Sequence, residues 1–117
     1  MSPGPLVDRN RRQTTATLEQ LPPGRYLAVQ DGEEYIVVPL EKPVVRIGRS
    51  PMADIQLDDA SVSRRHALLI AERDGIHLVD DRSLNGVEVN DERVTRAVLR
   101  DGDTIAIGRV RLRFVDV

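Results

Sequence analysis

The chain has 117 residues, no cysteine, only 3% aromatic residues and a formal net charge of −2. That length fits one domain able to bury its own core, while the missing cysteines exclude a disulfide framework and a thiolate metal site. The acidic balance and scarce aromatics argue against nucleic-acid binding, and no apolar run approaches the ~18 residues that span a bilayer, so a cytoplasmic protein without membrane contact is expected.

Met1–Gln20 is polar, carries Arg9, Arg11 and Arg12, and shows no sustained apolar period. It reads as a flexible tail, closed at residues 22–24 by Pro22-Pro23-Gly24, which cannot continue a ladder. The folded domain is then expected over residues 25–117. Tyr26–Val29 and Glu34–Val38 flank Asp31-Gly32, a strong hairpin signal. Val44–Ile47 precedes the turn Gly48-Arg49-Ser50-Pro51, and Ile55–Leu57 and Ala67–Ala71 follow as strands. Asp74-Gly75 leads into Ile76–Asp80, Asn85-Gly86 into Val87–Val89, and Asp101-Gly102 into Thr104–Ile107. In the last strand Val110, Leu112 and Phe114 alternate with Arg109, Arg111 and Arg113. No segment carries a sustained helical stripe. About ten to eleven short strands separated by Gly, Asp and Asn turns describe an all-β antiparallel sandwich, with binding loops at its ends.

Three loop segments stand out in order: Gly48-Arg49; Ser63-Arg64-Arg65-His66; and Ser83-Leu84-Asn85-Gly86, continued by Val87-Glu88-Val89-Asn90. Each is weak alone, but together, in this order and inside an all-β pattern, they resemble the forkhead-associated (FHA) domain family over roughly residues 25–117. The resemblance implies a non-enzymatic sandwich of about eleven strands that binds phosphothreonine peptides through loops at one end. It also implies small bacterial signalling proteins that work with Ser/Thr kinases.

The chemistry of these residue types agrees with that implication. A phosphate carries about −1.5 to −2 charges and strong acceptor oxygens. Arg49 can fork two N–H groups onto it, where a lysine offers only a point charge. Gly48 lets the backbone bend without a Cβ clash, and the Ser63 hydroxyl and amide can donate. Asn85 suits a grip on an extended ligand's main chain. Arg64 sits where the family often places a ligand-contacting polar residue. Many members carry a hydroxyl residue where this chain has Leu84. Leu84 can instead pack on the ligand, with Ser83 compensating in part. The expected phosphopeptide-binding set is therefore Arg49, Ser63, Arg64, Ser83, Leu84 and Asn85, supported structurally by Gly48, His66, Gly86 and Asn90.

Competing readings exist for several of these residues. Ser63-x-x-His66 with Asp80 or Asp81 could suggest a hydrolase. However, His66 opens an apolar strand and should face inward, and the resemblance gives it a loop-shaping role. His77, between Ile76 and Leu78, should sit on the surface, and two dispersed histidines make no metal site. No cofactor is expected. The Arg109, Arg111, Arg113 row reads as the wet face of an edge or outer strand rather than a nucleic-acid stripe. Arg82 reads equally as a second cation near the site or as a solvated loop residue.

Thr14, Thr15 and Thr17 follow Arg11-Arg12-Gln13, a pattern suited to a basophilic Ser/Thr kinase. Phosphorylation there would let the tail fold back onto its own domain, and Thr15 would place Leu18 at the +3 position. Expected partners are thus phosphothreonine-containing proteins, a Ser/Thr kinase and the chain's own tail. The alternative function is a phosphate-independent assembly subunit using the same fold.

Overall fold

The computed structural model describes Thr14, Thr15 and residues 18–117; Thr17, one of the expected phosphorylation sites, lies outside the described residues. In chain order the strands are β1 (Thr14–Thr15), β2 (Arg25–Asp31), β3 (Glu34–Pro39), β4 (Val44–Gly48), β5 (Ile55–Gln56) and β6 (Ala67–Glu72). They continue as β7 (Gly75–Asp80), β8 (Val87–Val89), β9 (Glu92–Val94), β10 (Arg96–Val98), β11 (Thr104–Ile107) and β12 (Val110–Asp116). Seven strands form one sheet in the order β1-β3-β2-β12-β11-β8-β9, and five form the other in the order β10-β7-β6-β4-β5. The expected all-β sandwich is what forms. Every pairing is antiparallel except β4 with the two-residue β5, where Ile47 lies opposite Ile55. Among the described residues no helix is long and apolar enough to cross a membrane.

Alternation builds the core. Val45 and Ile47 of β4, Leu69 of β6 and Leu78 of β7 face Leu27, Val29, Ile105, Leu112 and Phe114 of the larger sheet, all buried. Phe114, the single phenylalanine, is 1% exposed and is the largest fully buried side chain.

Strand β2 departs from strict alternation, since Tyr26, Leu27, Ala28 and Val29 are all buried. Its outward residues Tyr26 and Ala28 join Val37 and Val115 in a second apolar cluster on the outside of the larger sheet. Leu18 and Leu21 pack on that cluster, although they lie in the stretch 1–24 read from sequence as tail. The Tyr26 hydroxyl donates to the Pro22 carbonyl at 2.8 Å, and Gly24 and Val117 exchange backbone bonds. Thr14 and Thr15 pair with Val37 and Ile36 at the sheet's edge.

Two local expectations need correction. Strand β12 is central, between β2 and β11, so Arg111 and Arg113 line the exposed face of an interior strand rather than an edge. Arg109 and Arg111 have Asp59 and Asp91 within 3.7 Å and 3.8 Å, which interrupts the basic row. His77 does lie on the outer face, but it is clamped there rather than free. Its Nε2 meets Asp74 at 2.7 Å, its Nδ1 accepts from Arg96 at 3.0 Å, and its side chain is only 13% exposed.

Candidate functional site

The connections after β4, before β6 and between β7 and β8 converge at one end of the sandwich, and His66 joins them. Its ring is fully buried. Nδ1 accepts the Ser63 N–H at 2.9 Å, so that nitrogen carries no proton. Nε2 therefore holds the ring proton and donates it to the Gly86 carbonyl at 2.8 Å. One neutral imidazole thus bridges two loops, 20 residues apart at the Gly86 end. The apolar strand that starts at Ala67 carries the ring inward, as its sequence position implied.

Further bonds lock the same loops. The Leu84 N–H donates to Ser63 Oγ at 2.9 Å, and Asn85 Nδ2 donates to the Ser61 carbonyl at 2.8 Å. The Arg49 N–H donates to the Ser63 carbonyl at 2.9 Å and the Ser50 N–H to the Arg64 carbonyl at 3.1 Å. Arg49 Nε donates to the Val62 carbonyl at 3.0 Å, which fixes the guanidinium while leaving its two terminal nitrogens to a ligand.

Gly48 is required by close approach rather than by a bend. A Cβ there would collide with the Arg64 carbonyl oxygen and lie 2.8 Å from its carbon and 3.1 Å from the Ser63 oxygen. The backbone bonds of Arg49 and Ser50 to that strand of chain exist only because nothing intervenes.

The structure brings Arg49, Ser63, Arg64, Ser83, Leu84 and Asn85 to one end of the molecule, with finer roles than their types disclosed. The Ser63 N–H, read as a possible ligand donor, is engaged by His66, so the hydroxyl is what remains. Because Ser63 Oγ accepts from Leu84, its own proton is left to donate outward. Ser83 shapes the turn: its Oγ accepts the Gly86 N–H at 2.9 Å and its N–H donates to Asp80 Oδ1 at 2.9 Å. Gly86 takes φ 82°, whereas Asn85 does not adopt positive φ. Leu84 is 86% exposed, an apolar side chain standing free at the site. Asn90 lies at the opposite end of β8, where at φ 52° it ties the β8–β9 turn to Asp103 and Thr104. None of its hydrogen bonds reaches the loops that carry Arg49, Ser63 or Asn85.

Three supporting residues escaped the sequence reading. Ser61 holds Asn85 through its carbonyl and accepts the Arg109 N–H on Oγ at 2.8 Å. Asp59 Oδ1 accepts from both the Ser61 N–H, at 2.8 Å, and the Ser61 hydroxyl, at 2.6 Å. Gly108, at φ 59°, lies so close that an added Cβ would be 2.6 Å from the Ser61 carbonyl oxygen. The Asp59-Ala60-Ser61 spacing, suited to a side-chain-to-backbone turn, was the available signal.

The Ser61 hydroxyl and N–H, outweighing the cost of burial and aided by Arg109, hold the Asp59 carboxyl below its ordinary range. For Asp54 burial pushes upward, but the Lys42 ammonium at 2.6 Å and the Arg46 N–H at 2.8 Å overcome it and lower its value too. Among the described residues no group of three His, Asp or Glu side chains is placed to hold a metal ion.

Two consequences can be measured. Gly48→Ala should displace the Arg64 carbonyl and shift the amide resonances of Arg49, Ser50 and Ser63, while those of β2 and β12 stay in place. Asp59 has a lowered folded-state value, so its stabilising contribution is present above the ordinary carboxylate value of about 3.9 and disappears as pH falls through the folded value. Urea unfolding of the native chain and of Asp59→Asn should therefore differ at pH 6, and the difference should shrink as pH falls below the ordinary carboxylate value and through the lower folded one.

The FHA domain model of known families matches residues 45–108, more than half of the chain. The glycogen accumulation regulator GarA of Mycobacterium tuberculosis is 43% identical over 103 residues, which cover 84% of this chain and 62% of GarA. The oxoglutarate dehydrogenase inhibitor of Corynebacterium jeikeium is 41% identical over 106 residues, covering 86% of this chain and 72% of that protein. The chain thus spans less than two thirds of GarA's length. A structure from work on phosphothreonine-dependent FHA domain interactions superposes with a TM-score of 0.74 at 31% identity, over 80% of this chain and 96% of the other. Mycobacterium tuberculosis EmbR in complex with a low-affinity phosphopeptide superposes with a TM-score of 0.71 at 36% identity, over 78% of this chain and 24% of EmbR. The chain belongs to the FHA domain family, whose members bind phosphothreonine.

Proposed function

We propose that residues 25–117 act as a non-catalytic phosphothreonine-dependent interaction module in cytoplasmic Ser/Thr kinase signalling, with the phosphate held by Arg49 and Ser63. The observation that carries this reading is the arrangement of those two side chains. Arg49 is pinned through Nε with its terminal nitrogens available, and Ser63 Oγ is already an acceptor, so its proton is left for a phosphate oxygen. Asn85 retains its Oδ1 for the ligand's main chain, and exposed Leu84 offers an apolar contact to a neighbouring ligand residue. Arg64 and Ser83 border the same surface.

The commitments of His66 also support a non-catalytic role. Both ring nitrogens are bound to backbone groups and neither meets Ser63 Oγ, so the pair lacks the base-to-nucleophile contact of a hydrolase.

The relatives' names, a regulator of glycogen accumulation and an inhibitor of oxoglutarate dehydrogenase, suggest that this module controls a metabolic enzyme of that kind. Phosphorylation of the N-terminal threonines would govern it. Thr14 and Thr15 now pair with β3, and Leu18 sits on the outer apolar cluster. The residues between Thr15 and Gly24 span about 30 Å when extended, enough to carry phosphothreonine toward the loop end once those contacts release. Tethering raises the local ligand concentration toward the millimolar range and displaces weak competitors.

Calorimetric titration with a phosphothreonine peptide tests the site. Arg49→Ala should lose about 2–5 kcal/mol of binding free energy, and phosphoserine should bind about 1 kcal/mol more weakly for want of one buried methyl. Equal affinity for native and Arg49→Ala proteins would remove the proposal. For the tail, treatment with a Ser/Thr kinase should move the amides of Ile36 and Val37 together with those of Ser63 and Asn85, and the loop shifts should vanish in Arg49→Ala. Loops that stay put after phosphorylation would exclude the intramolecular switch.

A further inference from the structure

Away from the loop end, the outer face of the seven-stranded sheet carries the second apolar cluster of the molecule. Tyr26, Ala28, Val37 and Val115 stand there, each at most 9% exposed. Antiparallel sheets ordinarily leave such a face to water, so burial this complete requires a cover. Among the described residues outside the sheet, Leu18 and Leu21 supply it.

The cover is aimed by its own attachment. Gly24 and Val117 exchange backbone bonds at 2.8 Å and 2.9 Å, and the Tyr26 hydroxyl donates to the Pro22 carbonyl at 2.8 Å. Pro22-Pro23 is stiff, so Leu21 leaves the domain already directed across this face. Upstream, Thr14 and Thr15 add a two-residue strand to the edge of β3, opposite Val37 and Ile36. Ordering two residues costs more than the few backbone bonds they form return. The leucines therefore hold the threonines on the edge, and not the reverse.

We infer that this face is a second dock for the chain's own tail, independent of phosphate, which withholds Thr14 and Thr15 from a kinase. A backbone paired into a sheet has to leave it before entering another protein's cleft, so modification proceeds from the opened fraction alone. The grip of Asn85 on a ligand's main chain and the pairing with β3 call on the same tail backbone. One dock therefore empties as the other fills, and the leucine contacts set what the phosphorylated tail has to overcome. Until then the loop end stays open to ligands from other proteins. The kinase step rests on the tail switch proposed above, whereas the contact with the sheet does not.

The test measures initial rates of phosphorylation at Thr14 and Thr15 by a basophilic Ser/Thr kinase. Every protein carries Arg49→Ala, so that capture of kinase or product at the loop end does not enter. Leu21→Ser weakens the cover from the tail side, and Val37→Thr makes the covered surface polar from the sheet side. Each should raise the rate about fivefold, as expected for losing part of one buried side chain. Amides of β6 and β7 in the other sheet should keep their native positions, which shows that a variant is folded. A synthetic peptide of residues 9–21 should be modified at least as fast as either variant. A folded variant whose rate matches that of Arg49→Ala alone, or a peptide no faster than it, overturns the proposal. If neither chain nor peptide is phosphorylated, the tail switch fails instead, and the dock is judged with a Glu-specific protease. Cleavage after Glu19 should be about fivefold faster in Leu21→Ser and Val37→Thr than in the native chain, because it too needs the opened segment. Equal cleavage overturns the dock.

Discussion

The loop end of this sandwich depends on one buried side chain. His66 accepts from the Ser63 amide and donates to the Gly86 carbonyl, so a single neutral ring sets the spacing between the segment that carries Ser63 and Arg64 and the segment that carries Leu84 and Asn85. Buried polar groups are costly when unpartnered and rigidifying when satisfied. Here both nitrogens are satisfied by backbone, and neither bond can be made by an apolar replacement. The Leu84–Ser63 and Asn85–Ser61 bonds follow from that spacing. Gly48 supplies the matching constraint from β4, because only a residue without a Cβ admits the Arg64 carbonyl so closely.

Rigidity at this end has a functional consequence. A binding loop that must be ordered by its ligand loses affinity to that ordering. In this molecule the loops are cross-bonded before any ligand arrives, and Arg49 is held at its Nε while its terminal nitrogens stay open. Leu84 and Arg49 remain exposed outside this cross-bonded framework.

Much of this was legible in the sequence, and the exceptions have physical causes. Alternating apolar residues identify β7 and β12, while short apolar runs bounded by turn residues identify β2, β3 and β6. Strands β9 and β10 went unread, since three-residue segments such as Glu92-Arg93-Val94 are exposed and carry charge, leaving no period to detect. The continuous burial of Tyr26–Val29 arises from Leu18 and Leu21 covering the outer face, a tertiary contact that local pattern does not encode. At the site, Arg49, Ser63, His66 and Asn85 were visible through ordered motifs. Gly108 and the Ser61–Arg109 bond were not, since they depend on the approach of the β11–β12 turn from 48 residues away, whereas the local Asp59–Ser61 turn left a signal in its spacing that went unread. The engagement of the Ser63 amide by His66 likewise depends on three-dimensional proximity of atoms rather than on residue type.

The most direct measurement is a phosphothreonine-peptide titration followed at once on the backbone amides and on the ring nitrogens of His66. The expected result is that saturable shifts concentrate at Arg49, Ser63, Arg64 and Asn85, that the unphosphorylated peptide moves none of them, and that His66 keeps its proton on Nε2 throughout. Shifts centred on another surface, the same response to the unphosphorylated peptide, or a His66 ring protonated on Nδ1 would contradict the view of His66 as the fixed support of a phosphate-reading site.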